Sequence, residues 1–218
     1  MTERQLTTAA YITLGLLTSR DWSAYQLAEQ VGRGIDHLWP RADRQRYITQ
    51  KRLAEEGLVA ARIEPAGKRT RTIYSITQAG RDELAAWLTT DARPPLLEFE
   101  GMVRVMLSEQ GSISDLRRTL QTTRHQALAA REMFAVHAAT IARDGGTFPE
   151  RQHLLGMANR FMIGHYQHIS DWATWALEQT ESWPDTVTPA TGNDAQVREM
   201  LAPGLAVLAA EQAGGAAR

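Results

Sequence analysis

The chain has 218 residues, of which 43% are hydrophobic, and this length favours one large domain or two small ones. It contains no cysteine, which excludes disulfides, thiolate metal sites and cysteine nucleophiles. The formal net charge of −1 conceals a basic region, because residues 41–71 carry nine basic and four acidic side chains. Such an excess is typical of a protein that contacts a polyanion, and also of an ordinary solvated face.

The sequence carries no recognisable targeting or membrane segment. Its first residues, MTERQ, lack the apolar core of a secretory signal, and no apolar run approaches the length of a membrane span. We therefore expect a soluble, cytoplasmic protein.

Two helices are predicted near the amino terminus. The apolar residues 7–19 form the first, and a polar break follows. Ser23 and Gln26 have the three-residue spacing of a capping box, which predicts that a second helix begins there and runs to about residue 31. Gly32 and Gly34 are expected to end it.

A third helix is predicted from Asp43, a suitable N-cap, to Glu56, with Gly57 as its stop. Its outer face is rich in cationic and amide side chains, and arginine suits guanine edges while glutamine suits adenine. This composition favours a recognition helix in the major groove of DNA; the alternative is an exposed helix with ordinary surface charge. The candidate DNA-binding residues here are Arg44, Gln45, Arg46, Tyr47, Thr49, Gln50 and Arg52.

A β-hairpin is predicted next, because residues 58–64 and 72–77 are short β-prone runs on either side of the turn-forming, basic stretch 65–71. Three helices followed by a hairpin with a cationic tip is the order of a winged helix-turn-helix. Such a wing contacts phosphates or the minor groove, whereas the alternative is solubilising charge on a loop. The candidate wing contacts are Lys68, Arg69 and Arg71.

The rest of the chain reads as helical. A helix begins near Thr77, and the proline-containing residues 91–97 form the predicted linker between a domain at 1–90 and another at 98–218. The further predicted helices are 98–109, 112–143, 149–181 and a weak one at 194–212, which Pro203 and Gly204 interrupt; residues 184–193 form a loop. The predicted class is therefore mainly α with a small β-hairpin.

Both long helices repeat apolar residues at spacings of four and three, from Leu116 to Ile141 and from Leu154 to Trp175. This spacing suits helices that pack side by side at shallow angles, either within one chain or between chains.

Three stretches resemble the PadR family of transcriptional regulators. Residues 11–17 (YITLGLL) and 23–27 (SAYQL) are similar to its "LGLL…hGYEL" opening, residues 47–59 (YITQKRLAEEGLV) to its "Y…LkrLeeeGLV", and residues 69–80 (RTRTIYSITQAG) to its "grpRkyYrlTeeG". Residues 38–42 (LWPRA) resemble a segment of the branch with a longer C-terminal domain. The resemblance covers residues 6–88 well and the remainder in general helical form. Arg46 and Gln50 depart from it, because the family usually has apolar core residues there; either the helix is rotated or these side chains join the DNA-facing set.

The resemblance implies a homodimer whose recognition helices read a palindromic operator in double-stranded DNA, usually as a repressor that small molecules release. It also implies that the C-terminal helices form the dimer interface, to which we assign Leu116, Leu120, Phe134, Leu154, Phe161, Ile169 and Trp172. An aromatic or hydrophobic effector could bind in a pocket formed by part of this region, although these side chains also suit a core or an interface. The candidate pocket residues are Phe161, Met162, Trp172 and Trp175.

Other functions are less well supported by the sequence. His165 and His168 are three residues apart on one helix, but no set of ligands completes a metal site, and we predict neither metal nor cofactor. No nucleophile elbow, phosphate loop or paired-carboxylate signature points to an enzyme. A winged helix used as a protein-interaction module is the remaining alternative, and the basic wing argues against it.

Overall fold

The structure, a computed structural model, describes residues 6–40, 48–67, 69–192 and 194–215. It divides into two units between Pro95 and Leu96, inside the stretch predicted as a linker. Most described residues lie in helices, and the strands of the first unit form a small antiparallel sheet. The predicted class is confirmed.

The first unit has helices followed by a hairpin, in the predicted order. Its elements are α1 (Thr8–Leu17), β1 (Trp22–Ser23), α2 (Ala24–Gln30), a π-helical turn (Val31–Ile35), α3 (Asp36–Leu38), α4 (Ile48–Glu55), β2 (Val59–Ala66), β3 (Arg69–Ile76) and α5 (Gln78–Leu88). The sheet order is β1-β3-β2, and all pairing is antiparallel. Strand β1 was not predicted, since two residues are too few to show an alternating pattern.

Side-chain caps position the early helices. The Thr7 hydroxyl accepts a hydrogen bond from the Ala10 amide at the start of α1. At the start of α2, Ser23 and Gln26 form the predicted capping box, each side chain bonding to the other residue's amide. Local sequence alone therefore sets both starting points.

The expectation that Gly32 and Gly34 end the second helix is wrong. The chain stays helical through the π turn Val31–Ile35 and on into α3. Glycine disfavours a helix by about 1 kcal/mol relative to alanine, which tertiary packing can offset, and it does not force a stop as proline does. Among the described glycines, left-handed backbone angles occur elsewhere, at Gly57, Gly67, Gly145 and Gly146.

The core of the first unit is closed around Trp22. Its ring is 1% exposed, and its indole N–H donates to the Leu16 carbonyl oxygen at 3.1 Å. Leucines from α1, α2 and α4 are equally buried: Leu14, Leu17, Leu27 and Leu53. Burial of these side chains is the main stabilising contribution to the unit.

Helix α5 packs against α1 through Tyr11. The ring stacks on Trp87 with centroids 4.5 Å apart, and the hydroxyl donates to Glu83 at 2.8 Å. Burial, together with this hydrogen bond, raises the pKa of Tyr11 to about 12. At the start of α5, a Cβ on Gly80 would lie 2.1 Å from the Leu58 carbonyl oxygen, so only glycine fits there.

The second unit is helical throughout its regular structure. Its elements are α6 (Glu100–Met106), a 3₁₀ turn (Ser108–Gln110), α7 (Ile113–Asp144), a second 3₁₀ turn (Pro149–Arg151), α8 (Gln152–Thr180), α9 (Pro189–Gly192) and α10 (Asp194–Gly215). A capping box between Ser112 and Asp115 begins α7, and Gly145, at φ +79°, ends it. Helix α9 lies within residues 184–193, which were predicted as a loop.

Helices α7 and α8 form an antiparallel hairpin. The Asn159 amide donates to the Phe134 carbonyl oxygen at 2.9 Å, and Arg131 bonds to Gln167. Nearer the ends, Arg117 donates to the Thr180 carbonyl oxygen, where a cation favours the helix C-terminus. The two long helices thus pack side by side as predicted, and they do so within one chain.

The predicted interruption of the last helix is wrong. Helix α10 continues through Pro203, whose surroundings are exposed to solvent. Proline removes one helical hydrogen bond, but water can satisfy a carbonyl on an exposed helix, so a bend without a break is tolerated.

Candidate nucleic-acid interface

The predicted recognition helix is described in its second half. Helix α4 is seen from Ile48 onward, and the predicted N-cap Asp43 lies outside the described residues. The same holds for five predicted contacts: Arg44, Gln45, Arg46, Tyr47 and Lys68.

The structure contradicts the assignment of Thr49 and Gln50 to a DNA-facing surface. Their side chains are 8% and 3% exposed, because this face of α4 packs on α1 and α2. Gln50 thus occupies a core position although it is polar. Its Oε1 has no hydrogen-bond partner and lies beside a cavity of about 10 Å³, which is lined by Ala9, Thr13, Leu27, Ala28, Val31, Thr49 and Gln50.

Arg52 lies on the outer side of α4 and is partly exposed. Its Nε donates to Glu56 at 2.9 Å, one helical turn later. An exposed pair of this kind is weak, so Arg52 can exchange the carboxylate for another anion at small cost.

The hairpin projects its charges from one face. Residues directly opposite in an antiparallel pair share a face, and alternate residues do so along each strand. The register pairs Arg62 with Ile73, Glu64 with Arg71 and Ala66 with Arg69, and Gly67 (φ +63°) forms part of the turn. Three arginines and one glutamate therefore share a face: Arg62, Arg69, Arg71 and Glu64.

Four of the charged side chains near this face form a connected group, here called the wing cluster: Asp21, Arg62, Glu64 and Arg71. Arg62 Nη1 donates to Asp21 at 2.5 Å and to the Ser75 hydroxyl at 3.0 Å, and its Nε donates to Glu64 at 3.0 Å. Arg71 Nη2 donates to the other oxygen of Glu64 at 3.2 Å.

The wing cluster keeps its carboxylates ionised. Hydrogen bonds from Arg62 first, and then from Arg71, lower the pKa of Glu64, and a hydrogen bond from Arg62 lowers the pKa of Asp21. Sequence reasoning identified Arg71 and missed Arg62, Asp21 and Glu64. The alternation of Arg62 with Glu64, and of Arg69 with Arg71, was the available signal for a charged strand face.

The predicted effector pocket is not present as one cavity. Met162 is 2% exposed, whereas Phe161 and Trp175 are 63% and 41% exposed. Met162 therefore lies on a different side of α8 from the other two. Trp172 packs edge-on against Phe99, with centroids 6.1 Å apart. A separate open groove of about 400 Å³ is lined by Arg117, Gln121, Arg124, Leu177 and Glu181.

The structure also corrects part of the predicted dimer interface. Leu116, Leu120 and Phe134 are buried in the α7–α8 hairpin of the chain itself and are not available to a partner. Leu154 and Phe161 are more than half exposed on α8. Ile169 and Trp172 are partly buried. These four residues of α8 therefore stay predicted interface residues.

The described residues offer neither a metal site nor a membrane-spanning helix. Within the described residues, no three histidine or carboxylate side chains are grouped so that they could hold a metal ion. His165 instead packs between Phe161 and Tyr166, with centroids at 6.1 and 5.2 Å. None of the described helices is both long and apolar enough to traverse a membrane.

Comparison with known sequences gives a family match within the first unit. Residues 13–86 match the family described as "Transcriptional regulator PadR-like family". Over 79 residues the chain is 30% identical to the negative transcriptional regulator PadR of Bacillus subtilis (strain 168). That alignment covers 36% of this chain and 43% of the relative, so it spans less than half the relative's length.

Solved structures are similar over both units. The structure of smu.1604c from Streptococcus mutans UA159 has a TM-score of 0.71 at 16% identity, covering 79% of this chain and 99% of that one. Bacillus subtilis PadR in complex with operator DNA has a TM-score of 0.70 at 18% identity, with coverages of 82% and 100%. In complex with p-coumaric acid it has a TM-score of 0.61 at 18% identity, with coverages of 81% and 100%. At these identities the likeness establishes the fold.

Proposed function

We propose that this chain is a transcriptional regulator of the PadR-like family, and that it acts as a homodimeric repressor that binds a palindromic operator in double-stranded DNA. The match of residues 13–86 to the family model supports the proposal. The observation that carries the proposal is the arginine-rich face of the hairpin, beside a helix whose outer side also carries arginine. The B. subtilis relative is named a negative regulator, and one of its structures holds operator DNA. A regulator of this kind works in the cytoplasm.

On this proposal the two elements contact DNA differently. The exposed side of α4 enters the major groove, where base edges differ in their donors and acceptors. The residues that precede α4 in the sequence supply the predicted base contacts: Arg44, Gln45, Arg46 and Tyr47. Lys68, Arg69 and Arg71 on the wing contact phosphates, which adds affinity without sequence preference. Thr49 and Gln50 are excluded from this set because they are buried.

We assign dimerisation to the outer face of α8 together with α10. Leu154, Met157 and Phe161 are between 55% and 71% exposed and follow each other at helical spacing on α8. Helix α10 carries a second exposed row at Val197, Leu201, Leu205 and Leu208. Rows of exposed apolar side chains like these are typical of an interaction site, and a second copy of the chain would cover them symmetrically.

We extend the proposal to a small aromatic acid as effector. The relative's complex with p-coumaric acid supplies the chemical class. In this chain, the groove beside Arg124 offers a cation for a carboxylate and Leu177 for an apolar ring. Titration calorimetry with p-coumarate tests this site: binding that Arg124→Gln weakens supports it, whereas unchanged affinity in the variant contradicts it.

The DNA proposal is tested by the salt dependence of binding. Fluorescence anisotropy with a duplex from the gene's upstream region, and with an unrelated duplex of equal length, measures specific and non-specific affinity. Arg69→Ala should weaken both and lower the salt slope by about one, because one phosphate contact is lost. Arg143→Ala, which removes an exposed arginine at the end of α7, is the matched control and should change neither.

The alternative of a protein-interaction module makes the opposite prediction. A wing that serves a protein partner would leave duplex affinity low and insensitive to Arg69→Ala. Relatives of this chain are transcriptional regulators, not enzymes, which argues against the enzyme alternative.

A further inference from the structure

The wing cluster distributes its hydrogen bonds unevenly. Arg62 reaches three acceptors, on Asp21, Glu64 and Ser75, and so ties the wing to the segment before α2. In the described structure Arg71 donates a single hydrogen bond, to Glu64, and about half of its side chain is exposed. Arg62 therefore has a structural role, whereas Arg71 can exchange its one carboxylate partner for another anion.

Glu64 lies between the two arginines and is the least exposed of these three, at 32%. One of its oxygens is held by Arg62 and the other accepts from Arg71. A phosphate that approached Arg71 would meet a fixed negative charge and would have to displace or share the carboxylate's hydrogen bond.

We propose that Glu64 lowers the affinity of the wing for duplex DNA by occupying Arg71, and that Arg62 positions Glu64 for this role. The proposal rests on the proposed DNA-binding function. Because the competition concerns phosphates, it acts on every duplex sequence alike and sets the strength of non-specific binding. The lowered pKa of Glu64 means that the carboxylate stays charged at neutral pH.

The test is Glu64→Gln, which removes the charge and keeps the shape and an oxygen for Arg62. We expect about two- to fivefold tighter binding to the upstream duplex and to the unrelated duplex, the range typical for an exposed ion pair. The slope of log affinity against log salt should steepen by at most about 0.9, because the phosphate contact of Arg71, which Glu64 weakens in the wild type, becomes complete.

Two controls isolate the mechanism. Asp82→Asn makes the same charge change on α5, where Asp82 accepts from Gln78, and should leave affinity nearly unchanged. In an Arg71→Ala background, Glu64→Gln should have no further effect, because the arginine that it frees is absent. Thermal unfolding of each variant verifies that the first unit is intact.

The outcomes separate this inference from the proposed function. If the wild-type chain binds duplexes in a salt-sensitive way and Glu64→Gln is equal or weaker, the role of Glu64 is overturned while the DNA-binding proposal stands. If the tighter binding persists with Arg71→Ala, the effect does not act through Arg71 and the inference is also overturned. A wild-type chain without salt-sensitive affinity overturns the proposed function itself.

Discussion

The two units differ in how completely they bury their large apolar side chains. Of the seven large side chains that are fully buried in the described structure, five belong to the first unit and two, Leu120 and Met162, to the second. Most of the large apolar side chains that remain exposed lie in the second unit, along α6, α8 and α10. The first unit therefore completes its own core, whereas the second leaves apolar side chains exposed, as an interaction surface does.

This difference matches the proposed division of roles, with DNA binding in the first unit and dimerisation in the second. A DNA-binding unit needs a rigid support for its surface side chains, and a closed core around Trp22 supplies it. An interface that pairs two copies needs apolar surface that the single chain leaves open.

The largest effect is expected from Trp22→Ala in the closed core. Loss of a fully buried tryptophan should lower the free energy of unfolding of the first unit by about 3–5 kcal/mol. Urea unfolding followed by circular dichroism measures it. Leu88→Ala, at a position 69% exposed on α5, is the control and should cost little; similar losses from both changes would contradict a closed core.

Phe161→Glu should strongly weaken self-association. A charge at the centre of an apolar interface typically costs at least 2 kcal/mol, or about 30-fold in the dimer dissociation constant. Sedimentation equilibrium over a range of concentrations provides the measurement. Ile63→Glu introduces the same charge at an exposed apolar position of the wing and should leave association unchanged. A fully dimeric Phe161→Glu chain would exclude the outer face of α8 as the interface.

Tyr11→Phe should lower the free energy of unfolding by about 1–2 kcal/mol at neutral pH, because the hydrogen bond to Glu83 is lost. The pH dependence is more specific. Since the pKa of Tyr11 rises from 10.0 to about 12 on folding, its contribution is complete below pH 10 and is lost as the pH rises from 10 to 12. Thermal unfolding between pH 8 and 11 should show this alkaline decline in the wild type and a smaller one in Tyr11→Phe; equal declines would refute it.

The smallest effect is expected from Gln50→Leu. Replacing a buried carbonyl that has no partner by an apolar side chain should leave stability equal or raise it by up to about 1 kcal/mol. DNA affinity should not change, because the side chain lies in the core. Gln50→Glu, which would bury a charge, should destabilise the unit clearly. A large loss of sequence-specific binding in a folded Gln50→Leu chain would contradict this prediction and indicate that Gln50 contacts DNA.

The features that could be predicted from sequence are those that neighbouring residues determine. The capping box at Ser23, the helix that begins at residue 112 and the basic hairpin depend on short-range hydrogen bonds and turn chemistry, and they occur where expected. The three stretches that resemble PadR-family regulators lie in the first unit. The fold class and the position of the wing could therefore be predicted from local signals.

The errors concern long-range packing. Gln50 looks like a DNA contact in a polar helix, and only the orientation of α4 against α1 and α2 shows that it is buried. Likewise, a four-and-three spacing is the same for a helix within a chain and between chains, so Leu116 and Leu120 could not be distinguished from Leu154. The pairing of Arg71 with Glu64 could not be predicted either, because it depends on the register between β2 and β3.

The most direct test of the account is the number of chains bound to one duplex. Sedimentation velocity of the full chain with a fluorescent duplex from its upstream region, at low and at high salt, measures binding and stoichiometry together. We predict two chains per duplex at low salt, a dimer in the absence of DNA, and release of the duplex as salt increases. A monomeric chain, or a duplex that sediments alone at low salt, would contradict it.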